Sequence, residues 1–129
     1  MEKFELLQGE APTADTALFK VCGPVDMFSY KELMSCLDEW GAASFKPMLM
    51  LDMSQASYVV SSGWSVFFLQ ATVQESRGGA LVLFGMSGRV ERSLNTIMPR
   101  KRHVNVAPDL ASAGNLLEIL RNAASSAPA

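Results

Sequence analysis

Two adjacent hydroxyls, Ser61 and Ser62, precede Gly63 and open a stretch of helical character. They follow the apolar run Leu49-Met50-Leu51-Asp52-Met53 and a short polar segment ending at Val59-Val60. The first backbone N–H groups of a helix lack intrahelical acceptors and carry about half a positive charge between them. A serine there has two uses. It can cap the helix with its own oxygen, or it can carry a phosphate, which adds roughly −1.5 to −2 charge and three acceptor oxygens at one surface point. The other groups capable of chemistry do not assemble around these serines. His103, the single histidine, falls in a predicted strand far along the chain, and Ser-Ser-Gly lacks the Gly-x-Ser-x-Gly elbow of a serine nucleophile. Asp26 and Asp52 read as turn or strand-end residues rather than an acid pair. No Gly-x-Gly-x-x-Gly or Gly-x-x-x-x-Gly-Lys-Ser follows a strand, and Gly85-Met86-Ser87-Gly88 is too sparse to cradle a nucleotide. Cys22 and Cys36 lie in apolar patterns without Cys-x-x-Cys spacing, so they read as reduced, buried thiols rather than zinc ligands. The expectation is a protein that is not an enzyme and needs neither metal nor cofactor.

Composition points the same way. With 129 residues, 49% of them hydrophobic, the chain matches one globular domain that can bury a core without staples. A formal net charge of −2 gives no global attraction to nucleic acid. Arg89, Arg92, Arg100, Lys101 and Arg102 are therefore expected to form a solvated rim, or one that complements an acidic partner. The start Met1-Glu2-Lys3-Phe4-Glu5 is too charged for a signal peptide. The run from Val59 to Leu69 is too short, and too interrupted by serines, for membrane insertion. A cytoplasmic protein is expected.

The elements that must hold the serines can be read from periodicity. Phe4 to Gln8 and Ala17 to Cys22 suit strands and form a hairpin around Gly9 and Pro12. Ser29-Tyr30-Lys31-Glu32 has the spacing of a capping box, and Tyr30, Leu33, Met34, Leu37 and Trp40 share a helical face that Gly41 is expected to end. Pro47 to Met53 is continuously apolar, as in a strand covered on both sides. A loop from Ser54 to Ser62 then leads into a helix reaching about Ser76. Arg77-Gly78-Gly79 breaks the chain before the strand Ala80 to Phe84, and Ser87 opens a helix with Val90, Leu94 and Ile97 inward. A short strand from His103 to Val106 precedes a last helix capped by Pro108-Asp109. The expected class is α/β: residues 1–122 form one domain with a mixed, mostly parallel sheet, an antiparallel edge strand and about four helices, and 123–129 form a flexible tail. In such sheets ligands and partners meet the carboxyl ends of the strands, where the serine pair lies.

The chain resembles the STAS family, the sulfate-transporter and anti-sigma-factor-antagonist domain. Leu51-Asp52-Met53-Ser54 and Ser61-Ser62-Gly63 match its central signature, a strand with Leu-Asp-x-Ser followed by Asp-Ser-Ser-Gly or Asp-Ser-Thr-Gly at a helix start. Gly23-Pro24-Val25-Asp26 is similar to the family's Gly-x-Leu-Asp. The likeness continues through Gly78-Gly79-Ala80-Leu81-Val82-Leu83 and Ser87, Val90, Arg92 and Leu94. It implies a partner-switching module whose phosphorylated hydroxyl maps onto Ser61, with Ser62 as helix cap. The implied partner is an anti-sigma factor or a related serine-kinase protein, met through Asp26, Val60, Ser61, Ser62, Gly63, Trp64 and Phe68. The resemblance carries no oligomeric state. Two departures stand out. Val60 occupies the family's Asp position, which favours the alternative of a constitutive scaffold or a subunit of a signalling or transport complex. Trp64 replaces the usual Leu, and with Val66, Phe67, Phe68 and Leu69 the helix carries so much apolar surface that at least one of Trp64 and Phe68 is expected to be partly exposed or covered by another protein; a large residue lying over its own core edge is the equal alternative.

Overall fold

The computed structural model describes residues 2–98 and 104–126. Five strands and four helices follow one another as β1 (Glu5–Gly9), β2 (Thr16–Val25), α1 (Tyr30–Ser44), β3 (Met48–Val59), α2 (Ser61–Ser76), β4 (Ala80–Phe84), α3 (Gly88–Ile97), β5 (Asn105–Ala107) and α4 (Leu110–Ser126). The strands lie in chain order across a single sheet. Only β1–β2 is antiparallel; β2–β3, β3–β4 and β4–β5 are parallel. The α/β class, the antiparallel edge strand and the four helices are as the sequence predicts. His103, Arg100, Lys101 and Arg102 lie outside the described residues.

The continuous apolar runs of β3 and β4 divide between two layers because successive side chains point to opposite faces. Leu49, Leu51, Leu81 and Leu83 meet α1, α2 and α3 through Leu33, Leu37, Phe67, Ala71, Val90 and Leu94. Met48, Met50, Ala80, Val82 and Phe84 meet Ala113 and Leu117 of α4 on the other face. Burying each large aliphatic side chain of this set contributes about 1.5–3 kcal/mol, so both faces of the sheet are tightly specified.

Several boundaries differ from the sequence expectation. The segment after Met53 is not a loop: β3 runs to Val59 beside β2. It carries two extra residues, because Lys20 and Cys22 face Asp52 and Gln55, while Gly23 and Pro24 face Ala56 and Tyr58. Bulges absorb one residue each and let polar positions remain in a strand. Helix α1 continues past Gly41 to Ser44; the space beside Gly41 is open, and Ala42 and Ala43 carry the helix on. The Ser29–Glu32 capping box is not what starts α1. Asp26 Oδ1 accepts the backbone N–H groups of Phe28 and Ser29, both at 2.9 Å, and the Ser29 hydroxyl turns back to Pro24 O at 2.8 Å. Helix α4 runs from Leu110 to Ser126. Cys22 and Cys36 are free and half-buried rather than buried.

Both ends of α2 are held to strand termini. At its C-terminus, Gly78 takes φ +82° and donates to Glu75 O, while Gly79 donates to Gln74 O at 2.8 Å, a Schellman pairing. A Cβ on Gly79 would lie 1.8 Å from Pro47 O, so only glycine fits there. The fully buried Gln74 donates to Lys46 O and Pro47 O at 2.9 and 2.7 Å and accepts from Gln70. This network fixes how far α2 stands from the sheet, and thereby where its N-terminus emerges.

Candidate partner-binding site at the start of α2

The N-terminus of α2 emerges between the ends of β2 and β3. Val60 is extended, with φ −84° and ψ 169°. Its N–H donates to Val25 O at 2.9 Å, and its carbonyl accepts from Trp64 N at 3.0 Å. Val60 is therefore the N-cap residue, and Ser61 and Ser62 are the first two helical positions. No side chain caps this helix. The expected cap role of Ser62 is thus corrected: the strand carries extended geometry one residue further than expected, so the cap position falls on a residue without a side-chain acceptor. Asp26 follows Val25 directly, which places the β2–α1 turn alongside Ser61.

Gly63 faces the sheet, where a Cβ would lie 2.6 Å from Val25 Cγ1 and 2.8 Å from Val59 Cγ1. Its absence of side chain lets the helix start sit directly on the two strand ends. Ser61 is exposed and its carbonyl accepts from Ser65 Oγ at 3.1 Å. Ser62 is half-buried and, with Tyr30, Met34, Ser65, Val66 and Leu69, lines a hollow of about 230 Å³ between α1 and α2. Only Ser61 of the pair therefore presents itself fully to solvent.

Trp64 lies in the core, correcting its expected place on a partner surface. It is fully buried, and its indole N–H donates to Ser93 Oγ at 3.0 Å; that hydroxyl donates in turn to Val59 O at 3.0 Å. A buried tryptophan needs a partner for its N–H, and Ser93 on α3 supplies it. Phe68, half-buried, stacks on Trp64 with ring centroids 6.3 Å apart and an interplanar angle of 18°. Of the two aromatics, Phe68 is the one that remains partly exposed.

The sequence reading missed the neighbouring turn. Met27 and Phe28 are 69% and 93% exposed, the latter on a turn held rigid by the Asp26 carboxylate. The signal was present as Asp26 two residues before Phe28, the spacing of an Asx turn. The Ser29 and Phe28 backbone N–H groups hold the Asp26 carboxyl below its ordinary range, keeping it anionic. On the other flank the Arg89 guanidinium lies 5.5 Å from the Tyr58 ring centroid, and Ser87 caps α3 by accepting from Val90 N at 3.2 Å. The site thus combines an exposed hydroxyl, a fixed carboxylate and exposed apolar side chains. Among the described residues no three His, Cys, Asp or Glu side chains converge to hold a metal ion, and no helix is long and apolar enough to cross a membrane.

Comparison with known proteins agrees with this architecture. The chain is similar to a crystal structure of a putative anti-sigma factor antagonist from Thermotoga maritima, at 15% identity over 91% of this chain and 94% of that one, with a TM-score of 0.72. It is also similar to the Bacillus cell fate determinant SpoIIAA in its phosphorylated form, at 15% identity over 88% and 99% of the two chains, with a TM-score of 0.61. A third likeness is to the murine anion transporter Slc26a9, at 16% identity and TM-score 0.68, where 92% of this chain covers 22% of that one. A comparison with curated protein sequences finds no match. The family model for the STAS domain matches residues 10–113, and the chain belongs to that family.

Proposed function

We propose that this chain is a regulatory protein-binding module acting as an anti-sigma-factor antagonist. Unmodified, it captures an anti-sigma factor with serine-kinase activity; phosphorylated on Ser61, it releases it. The observation that carries the reading is the exposure of Ser61 on the first turn of α2, next to a turn that presents anionic Asp26 and exposed Phe28. No chemistry by the chain itself is needed. The α2 N-terminus has no side-chain cap, so a phosphate on Ser61 meets backbone N–H groups and the positive end of the helix dipole. The same dianion stands beside Asp26, where it repels acidic partner groups and adds a desolvation cost to any fitted interface. Each 1.4 kcal/mol of such cost is about a tenfold loss of affinity, and two such steps make a usable switch. Phe68 and Phe28 supply the apolar contacts, while Gly63 and Trp64 act from below by fixing where Ser61 stands. The protein works in the cytoplasm, and specific nucleic-acid binding has no part in this function.

Wild type, Ser61→Ala and Ser62→Ala are incubated with ATP and the kinase captured from the same host, and intact mass is read. Addition of about 80 Da to wild type and Ser62→Ala but not to Ser61→Ala supports the reading; phosphate on Ser62 alone overturns it. A second reading, a constitutive scaffold, is favoured by Val60, which puts an apolar side chain at the cap position, where the signature that the chain resembles has Asp. Stable kinase binding without phosphate on any variant would select it.

A further inference from the structure

The C-terminal halves of α1 and α2 border another hollow, of about 290 Å³. Its floor holds an acceptor without a donor. Gln70 lines this hollow and is only 7% exposed. The orientation of its amide is fixed from behind. Gln74 Nε2 donates to the carbonyls of Lys46 and Pro47, so Gln74 turns its Oε1 toward Gln70, and Gln70 must answer with its Nε2, at 2.8 Å. Gln70 Oε1 is left over: it accepts no hydrogen bond from a described residue. Nor is it sealed in the core, where Ser57 Oγ is the one orphaned side-chain atom among the described residues, so this oxygen opens on the hollow that Gln70 lines. Around it the walls are apolar, with Leu37 buried and Phe45 and Val73 half-buried. Opposite charges stand at the exposed rim. Asp38 on α1 and Arg77 at the end of α2 form no ion pair with each other; the Arg77 guanidinium lies instead over Phe45, 4.4 Å from the ring centroid. Gly41 keeps the mouth open, since a Cβ there would meet nothing within 4 Å.

We propose that this hollow binds a small zwitterion with an apolar body, the chemistry of a hydrophobic α-amino acid. An apolar cavity with a few placed polar groups is the usual form of a small-molecule site, and this volume suits a ligand of few atoms. The ammonium donates to Gln70 Oε1 and is attracted by Asp38. The carboxylate pairs with Arg77, whose planar guanidinium matches it with two donors. The side chain lies against Leu37, Phe45 and Val73. Gln70 sets the selectivity: a molecule without a donor would cover this deep oxygen and leave it without water or partner, which costs free energy. The site stands apart from the partner-binding one, with Gln70 about 14 Å along α2 from Ser61. The inference does not rest on phosphorylation of Ser61.

Titration of the isotope-labelled full chain with L-leucine and with L-phenylalanine, followed by amide NMR shifts, tests it. Saturable shifts centred on Gly41, Gln70 and Arg77 are expected for at least one of the two, with Kd below about 1 mM. Isocaproate, which lacks the ammonium of leucine, and isopentylamine, which lacks its carboxylate, are expected to bind at least tenfold more weakly. Arg77→Gln, at an exposed position, and Gly41→Leu, whose side chain enters the hollow, are each expected to weaken binding at least tenfold with far-UV circular dichroism unchanged. Should Gly41→Leu disturb the fold, Arg77→Gln decides alone. No saturation by about 10 mM of either amino acid, equal binding of isocaproate or isopentylamine, or undiminished binding by a folded variant would overturn the inference. None of these outcomes bears on the Ser61 assignment, which is read separately by mass.

Discussion

Replacing Gly63 with Ala sets two effects of opposite sign against each other. On an exposed helix the change would stabilise by up to about 1 kcal/mol, since Ala is the better helix former. Here the new Cβ arrives 2.6 Å from Val25 Cγ1 and 2.8 Å from Val59 Cγ1. Both contacts are closer than carbon atoms tolerate, and both neighbours are β-branched, buried and stiff at χ1. Neither can swing away, so α2 or the strand ends must shift, and overpacking of that kind costs about 1–3 kcal/mol. The clash wins: Gly63→Ala is expected to destabilise by about 1–2 kcal/mol net, or roughly 3–8 °C in Tm for a chain of this size. Urea unfolding followed by circular dichroism and tryptophan fluorescence reads the loss. A double-mutant cycle with Val25→Ala identifies its cause. Removing Val25 Cγ1 makes room for the new methyl, so the double variant is expected to be more stable than the sum of the single losses by about 0.5–1 kcal/mol. A Gly63→Ala variant as stable as wild type, or strict additivity with Val25→Ala, would refute the claim that this glycine exists to seat α2 on the strand ends.

Trp64→Ala is expected to lose about 3–5 kcal/mol as a core truncation, whereas Trp64→Phe, which mainly loses the bond to Ser93, is expected to lose about 1 kcal/mol; wild-type stability of the alanine variant would return Trp64 to the surface. Val60→Asp supplies the missing cap and is expected to gain about 1 kcal/mol in chemical denaturation, while Ser62→Ala changes stability by less than about 0.5 kcal/mol; the reverse ranking would mean that Ser62 caps α2 after all. The Asp15 carboxylate is held below its ordinary range by the Arg121 guanidinium, 2.9 Å away, and by the Thr13 hydroxyl. Its folded pKa is depressed, so its contribution is present above about pH 4 and is lost as pH falls through the folded value. The pair is partly exposed, so Asp15→Asn is expected to flatten the acid limb of a stability–pH curve by less than about 1 kcal/mol, and an unchanged acid limb would contradict the assignment.

The order of elements was readable because apolar periodicity follows from the geometry of each element. The continuous runs Met48–Met53 and Ala80–Phe84 announce strands covered on both faces, and Val90 with Leu94 announces the buried stripe of α3. Boundaries were harder where side chains at a distance decide. The two bulges break the alternation of β3, and the polar Ser54, Gln55 and Ser57 resemble a loop until β2 pairs with them. Gly41 stops a helix only if the chain needs a left-handed residue there, and it does not. The fate of Trp64 depended on a hydroxyl 29 positions away, Ser93, which no local pattern reveals. Capping was misjudged for the same reason at both helices near the site: Asp26 takes over from Ser29, and Val60 displaces Ser62, because the strand ends rather than the hydroxyls decide where each helix begins. The position of Ser61 at the carboxyl ends of the strands was readable in full, since it follows from topology alone.

Intact mass and phosphosite mapping of the chain purified from its own host, in growing and in stressed cells, test the central claim most directly. The account predicts one phosphate, on Ser61, whose occupancy falls when the partner complex is recovered and rises when it is not. A chain that carries no phosphate under any condition, or carries it on Ser62 with Ser61 bare, would contradict it.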